Sequence, residues 1–398
     1  MCGKNIGIVF LVLLFLLPAV LGAFDIGLVT DHNLGHGGIG GESTTDYKMA
    51  LIPRLSFLIG DSVDFFFSGG FNLGFEDKNS SMVPELLRTE FSWSFSNAKI
   101  RAGRIQYADP LGFIANGLFD GAQFLYDTTV GSFSAGAWYT GLLYKKRANI
   151  TITPEDFEDY YKDNTYFASR RIVAAVDWEH PSIAEMLQLK LGILGQIDIS
   201  DRKDLFHSQF LSGKMSVPVA SFLFELGVGV ELMEFKEEMN LGFAGEAGVY
   251  WTPPFPFNSR FSFTGRLTSG KEEEISVAAF TPVTTTTQGD ILKANLSGLS
   301  VFSLDYLARF HQTFSAGVTA SYFLRSDLGT YMDYPVSNSG EAKRYFMGSE
   351  LAARLIWSPV SDLRFNFGGG MFLPSMGDIA PDADPKWRIE LGAVLALF

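Results

Sequence analysis

The sequence predicts an all-β fold, a transmembrane antiparallel β-barrel of about eighteen strands, with sixteen as the alternative count and both termini at one rim. Three observations carry this. Long runs alternate apolar and polar residues at a period of two, as a wall with one apolar and one wet face requires. The connections between these runs alternate between short turns and long loops, a parity that follows when every strand crosses from rim to rim. Aromatic residues gather at strand ends, where the borders of an apolar belt lie.

Composition supports the same class by exclusion. Of 398 residues, 47% are hydrophobic, 14% aromatic and only 19% charged, which no disordered chain shows. A net charge of -13 repels phosphate backbones, so no nucleic-acid partner is expected. Cys2 is the single cysteine and leaves no disulfide or thiolate-metal framework. Lys4, the apolar run Ile6 to Val20 and the small residues Gly22 and Ala23 read as a signal peptide over 1–23, with 24–398 as one barrel domain. No second apolar run approaches the roughly 18 to 20 residues of a spanning helix.

The elements follow from the alternation. Val63, Phe65, Phe67, Phe71, Leu73 and Phe75 oppose Asp64, Ser68, Gly70, Asn72 and Glu76, with Phe66 as the exception. Leu87, Phe91, Trp93 and Phe95 oppose Arg88, Glu90, Ser92 and Ser94, and Leu363, Phe365, Phe367 and Met371 oppose Arg364, Asn366 and Gly370. Strands are expected to begin near Phe24, Tyr47, Val63, Leu86, Lys99, Phe119, Ser132, Arg170, Leu187, His207, Ser221, Met239, Ser259, Leu299, Thr313, Arg344, Leu363 and Lys386. Asp61-Ser62, Asn97-Ala98, Gly131-Ser132, Ala220-Ser221 and Gln312-Thr313 read as short turns. Gly35 to Asp46, Ile150 to Ser169, Ile275 to Gly298 and Leu328 to Lys343 read as long loops. Pro53 and Pro218 fall inside proposed strands, where a ladder N–H is expected. Trp178, Trp251 and Trp357 belong to a girdle at the short-turn rim, and Tyr345 and Trp387 to the opposite one.

The C-terminal run Glu390, Gly392, Leu395, Leu397 and Phe398 resembles the assembly signal of bacterial outer-membrane β-barrel proteins. That resemblance implies a bacterial outer-membrane location, periplasmic termini, contact with outer-membrane lipid, and recognition of the last strand by the barrel-assembly machinery. Gly103-Arg104, Asp109 and Phe119-Asp120-Gly121 are similar to a passage in general and alginate-type porins. It implies a channel.

Function is argued from the wet face. Charge in lipid costs about 2 to 4 kcal/mol at the midplane, so Arg54, Arg88, Glu90, Asp127, Arg309, Glu350, Arg354 and Arg364 are expected to line a lumen. A barrel this wide leaves an aqueous channel unless something fills it. The first reading is therefore a porin for passive diffusion of small hydrophilic solutes. Alternatives are a carrier of hydrophobic compounds resembling fatty-acid transporters, for which no N-terminal hatch is present, and an adhesin acting through its outer loops. No enzyme, cofactor or metal is expected: adjacent His207 and Ser208 face opposite ways in a strand, and Asp31, His32 and His36 lie in the first long loop. Pro110 to Leu118 carries no charge, so Leu111, Phe113, Ile114 and Asn116 are the candidate constriction loop, with Thr281 to Gln288 as competitor. Acids at the loops (Glu155, Asp156, Glu158, Asp159, Asp163, Glu237, Glu238, Glu272 to Glu274, Asp378, Asp382, Asp384) predict weak cation selectivity that fades with salt. An unpaired ladder of Arg54, Arg88, Arg354 and Arg364 would instead favour anions.

Overall fold

A computed structural model describes residues 23–76, 79–151, 156–162, 165–201, 205–235, 238–255, 257–271, 277–326 and 345–397. The signal segment, the 328–343 loop and Phe398 lie outside these. The wall is built from β1 (Ala23–Ile39), β2 (Glu42–Ile59), β3 (Val63–Glu76), β4 (Asn79–Phe95), β5 (Ala98–Ala108), β6 (Asn116–Thr128) and β7 (Gly131–Tyr139). It continues through β8 (Arg171–Ile183), β9 (Leu187–Asp198), β10 (Phe206–Val219), β11 (Phe222–Phe235), β12 (Glu238–Trp251) and β13 (Arg260–Thr268). A two-residue pair, β14 (Thr287–Gln288) and β15 (Ala294–Asn295), lies in the next connection. The wall then resumes with β16 (Leu299–His311), β17 (Phe314–Arg325), β18 (Phe346–Val360), β19 (Leu363–Leu373) and β20 (Lys386–Leu397).

Each wall strand pairs antiparallel with its neighbours in the chain, and β20 pairs with β1 from Leu28↔Leu397 to Ile39↔Lys386, so the sheet of 18 strands is closed. The sixteen-strand alternative is excluded. Closure gives every wall strand a neighbour on both sides. Ala23 and Leu397 both lie at the short-turn rim, since Ala23 pairs with Leu58 just before the β2–β3 turn and Leu397 with Leu28.

The two faces match the alternation. Outward residues such as Phe71, Phe75, Phe91, Trp93, Ile193, Leu226 and Ile389 are exposed, an apolar surface that hydrocarbon solvates and water does not. Phe66 points inward, and the Arg88 guanidinium lies 4.9 Å from its ring centroid, which explains the break in pattern. At the short-turn rim Trp251 stacks between Phe222 (5.9 Å) and Phe261 (5.5 Å), and Trp357 stacks on Phe365 at 5.4 Å. At the other rim Tyr47 stacks on Phe75 (6.1 Å) and Trp387 meets His36 edge-on at 5.1 Å.

Two sequence expectations need correction. Gly35 to Asp46 is no loop: β1 and β2 stay paired to Ile39↔Glu42, and the turn is Gly40-Gly41, with Gly40 at φ 59°. Alternation is masked there by Gly, Ser and Thr, and the hairpin is held by cross-strand bonds of His32 to Tyr47 (2.7 Å) and His36 to Thr45 (2.9 Å). His32 and His36 are thus strand residues on the outer face. β4 likewise starts at Asn79 rather than Leu86, its polar first turn hiding the strand period. The prolines are accommodated where a ladder bond is missing. Pro53 faces the gap in the β2–β3 ladder between Leu51↔Phe71 and Arg54↔Ser68, and Pro218 lies beyond the last β9–β10 pair, Ser216↔Gln188.

One departure from the wall organises the interior. The β4–β5 ladder stops at Thr89↔Arg104 and the β6–β7 ladder at Asp120↔Tyr139, while β5 and β6 stay paired up to Ala108↔Asn116. Residues 105–108 and 116–119 therefore form a two-stranded arm that has left the wall. Gly103 is the pivot, at φ 115°, where an added Cβ would lie 2.1 Å from the Thr89 carbonyl oxygen. Gly103→Ala should lower unfolding stability by about 2 kcal/mol or more, read as an earlier urea midpoint by tryptophan fluorescence in vesicles.

Candidate pore and constriction

The arm folds inward because its sequence has an apolar face and a polar one. Ile105, Tyr107 and Phe119 are buried on the inner wall against Trp138 of β7 and Val173 of β8, with the Tyr107 and Trp138 rings 4.4 Å apart. The Tyr107 hydroxyl donates to Asp177 at 3.2 Å, and Ser134 donates to the other oxygen of that carboxylate at 3.1 Å. Gln106 and Asn116 lie on the opposite face of the arm, exposed, and bond to each other at 3.0 Å.

The arm ends in a tight cap. The Asp109 carboxylate accepts the backbone N–H groups of Leu111 (2.8 Å), Ile114 (2.9 Å) and Ala115 (2.9 Å), which closes the loop with Gly112 at φ 75°. Burial raises the Asp109 carboxyl above its ordinary range, and the N–H groups of Ala115, Leu111 and Ile114 oppose that shift. Leu111, Phe113 and Ile114 are buried. Burying three such side chains is worth about 1.5 to 3 kcal/mol each, enough to hold the cap on the wall. The wall makes room with glycine: a Cβ at Gly227 would lie 2.6 Å from Leu111 and one at Gly229 3.1 Å from it.

Cap and competitor turn out to be partners. The 277–298 segment crosses the interior as a strap: Thr284 donates its N–H to Ile114 (3.1 Å) while its hydroxyl accepts the Asn116 N–H (2.9 Å). Thr151 bonds to Val283 and Thr285 to Asn149 on its other side. Phe280 and Val283 join the arm's apolar cluster. Cap, strap and residues 149–151 form one plug: the cap packs on the β7–β12 wall, and the strap runs on to β18–β20, where Glu350 accepts its backbone N–H groups, Lys386 donates to the Leu292 carbonyl (3.3 Å) and Lys293 lies 3.7 Å from Glu390.

Where the arm left the wall, the chain after β7 takes its place. Thr140 donates its N–H to Arg171 of β8 (3.0 Å), the Tyr166 hydroxyl donates to the Pro84 carbonyl of β4 (2.8 Å), and Arg104 donates to the carbonyls of Leu86 and Leu142 while pairing with Asp120 at 2.8 Å. Asp156, read as a solvated loop acid, is buried against Arg171 at 2.5 Å.

The charged residues singled out from sequence divide into distinct settings. Glu90 is buried and receives both Arg88 (2.5 Å) and Arg101 (2.6 Å), so Arg88 is not an unpaired rung. Arg354 lies 3.7 Å from Asp305, and Asp127 accepts the Ser132 hydroxyl (2.6 Å) near the short-turn rim. Arg54, Arg309 and Arg364 lie on the inner face and make no ion pair among the described residues. Glu350 is buried against the strap and does not face the open lumen. Of the C-terminal run, Leu395 and Leu397 share the outer face, Glu390 pairs inward with Arg388 (2.5 Å), and Gly392 faces inward beside Asn366.

Lys214, Glu246, Arg266 and Gln288 form a chain of contacts at 2.9 Å, 2.9 Å and 3.1 Å beneath the strap, with the Arg266 guanidinium 4.7 Å from the Phe113 ring centroid; of these, sequence reasoning missed Lys214 and Gln288. Strand parity places the first three inward, but nothing in the sequence reveals that a loop residue completes them. Glu246, Arg266 and Gln288 border a polar recess of about 320 Å³ that Tyr250, Arg260, Ser303 and Arg354 also line.

The cap is displaced to one side: it sits on β7–β12, and β19 lies nine strands from β8 in either direction round the sheet of 18. The wall facing the cap is β18, β19, β20, β1 and β2; the strap's 290–293 turn reaches β18 and β20, and the inner face of this wall carries Arg354, Arg364, Arg388 and Arg54.

No family model matches the sequence, and no curated protein matches it significantly. Solved structures do. Pseudomonas aeruginosa OpdK, an outer membrane protein, superposes with a TM-score of 0.63 at 10% identity, covering 95% of this chain and 99% of that one. P. aeruginosa OccK2 (OpdF), solved in complex with glucuronate, gives 0.60 at 11% identity over 95% and 99%. The P. aeruginosa outer membrane protein OprD gives 0.59 at 13% identity over 95% of each chain. The chain shares the closed barrel fold of these outer-membrane proteins over nearly its whole length, as the sequence resemblance implied.

Proposed function

We propose that the protein is an outer-membrane channel for passive diffusion of small hydrophilic solutes, reached after removal of a signal peptide over 1–23 and barrel assembly read from the last strand. The observation that carries this is a closed barrel of 18 strands with a polar, charged inner face, whose cap packs on the β7–β12 side and leaves the arginines of β18, β19, β20 and β2 on the wall across from it. Short turns and both termini then face the periplasm. Neither a fatty-acid-type carrier nor an adhesin explains why charged residues line the open side.

Small organic acids are the solutes this lumen favours. A solute passing the plug is pressed towards the wall of Arg54, Arg354, Arg364 and Arg388, of which Arg54 and Arg364 have no ion-pair partner among the described residues. OccK2, with its bound glucuronate, is a barrel of the same fold that accepts a small acid. The competing reading is weak cation selectivity from acids at the outer mouth.

Two measurements test these statements. In planar bilayers the protein should give steady single-channel conductance and an anion preference that survives 1 M salt, where the screening length is about 3 Å and distant mouth charges no longer act. Arg54→Ala together with Arg364→Ala should lower the anion-over-cation permeability ratio by about two-fold or more. A cation preference that fades with salt would transfer selectivity to the mouth acids. For orientation, Gly41→Cys, whose added side chain meets nothing within 4 Å, should react with an impermeant thiol reagent on intact cells. Ser62→Cys and Ser361→Cys should not.

A further inference from the structure

The strap is held at two points by carboxylates from the wall. Glu350 of β18 accepts three successive backbone N–H groups, those of Asp290 (2.6 Å), Ile291 (3.1 Å) and Leu292 (2.8 Å), beside Gly289 at φ 81°. Glu231 of β11, with no exposed surface, accepts the Thr281 N–H at 2.7 Å through Oε2, and its Oε1 is buried with no hydrogen-bond partner among the described residues. Neither carboxylate makes an ion pair among the described residues.

Barrel stability does not explain these residues. A buried carboxyl with one unbonded oxygen carries an uncompensated desolvation cost, and an apolar side chain of similar volume would fill the same space without it. What the two glutamates share is their target, two points nine positions apart on one strap. β11 and β18 are five strands apart in the order β11, β12, β13, β16, β17, β18, which is about 24 Å along the wall at ~4.8 Å per strand. Nine residues separate Thr281 from Asp290, and extended chain of that length reaches about 30 Å. The strap is long enough to reach both anchors. Between them it bonds the cap through Thr284 and through Thr286, whose hydroxyl donates to the Phe113 carbonyl at 3.5 Å.

We propose that Glu231 and Glu350 are positioning residues for the constriction: together they tension the strap across the cap and thereby set the width of the open passage. This rests on the channel reading, and the clamp itself is accessible without it. Loss of both carboxylates would weaken the strap's hold at those two points and let strap and cap fluctuate into and out of the passage.

The test uses the full mature chain with Glu231→Ala and Glu350→Ala, singly and combined, each checked for folding by its heat-dependent shift in gel mobility. The combined variant should fold and show open-state current noise at least two-fold above wild type, with a changed mean conductance. Glu231→Gln keeps a carbonyl acceptor for the Thr281 N–H and should restore the wild-type trace. If wild type does not conduct, the channel reading fails but the clamp is still read by thiol labelling. Val283→Cys, buried in the plug, should react several-fold faster in the combined Ala background than in the wild-type background. A folded combined variant with wild-type noise, or with unchanged Val283→Cys labelling where no current exists, overturns the proposal. Should the combined variant fail to fold, the Glu231→Ala and Glu231→Gln pair decides by the same readouts.

Discussion

The structure depends on one constraint: backbone N–H and C=O groups in a wall facing an apolar medium must find partners in the wall itself. Eighteen strands satisfy it by closing β20 on β1. The constraint also governs the one place where the wall is broken. When β5 and β6 turn inward at Gly103, the edges they leave on β4 and β7 need new partners. The chain after β7 helps fill the opening, with the Tyr166 hydroxyl bonding to the Pro84 carbonyl of β4 and the Leu142 carbonyl accepting Arg104 of β5, which also bonds to the Leu86 carbonyl of β4. An arm can fold into the lumen because a second segment repairs the opening.

A wide barrel would otherwise be an indiscriminate hole. Narrowing it requires an object that is stable in water yet fixed to the wall, and the plug meets both needs by burying its apolar side and exposing Gln106 and Asn116. Its attachment is a matter of shape, since Leu111 fits only over Gly227 and Gly229. Because the cap occupies the β7–β12 side, the passage proposed above runs along the opposite wall, whose arginines are spread over neighbouring strands.

Much of this was legible in the sequence, for a physical reason: in a barrel every strand has the same environment, so one period-two pattern repeats along the chain. That is why Val63, Leu187, Leu299, Leu363 and Lys386 are strand starts in both sequence and structure. The reading failed where neither face is strongly apolar, as at Gly35 to Asp46. The uncharged stretch around Phe113 was visible as out of place on a solvated surface. Its union with Thr284 was not, because 168 residues separate Asn116 from the hydroxyl it meets. Parity marked Glu90 and Glu350 alike as inward residues. Only the structure shows that one anchors an arginine pair and the other a strap.

The claim that a plug built from the arm and the strap narrows the barrel is tested most directly by polymer exclusion, the partitioning of uncharged polymers of graded radius into the open channel, read as the fall in conductance. Wild type should exclude polymers well below the radius that an unobstructed barrel of this strand number admits. A folded variant lacking residues 112–116 should admit larger ones. Equal cut-offs for the two proteins would contradict a constriction built from the arm and the strap.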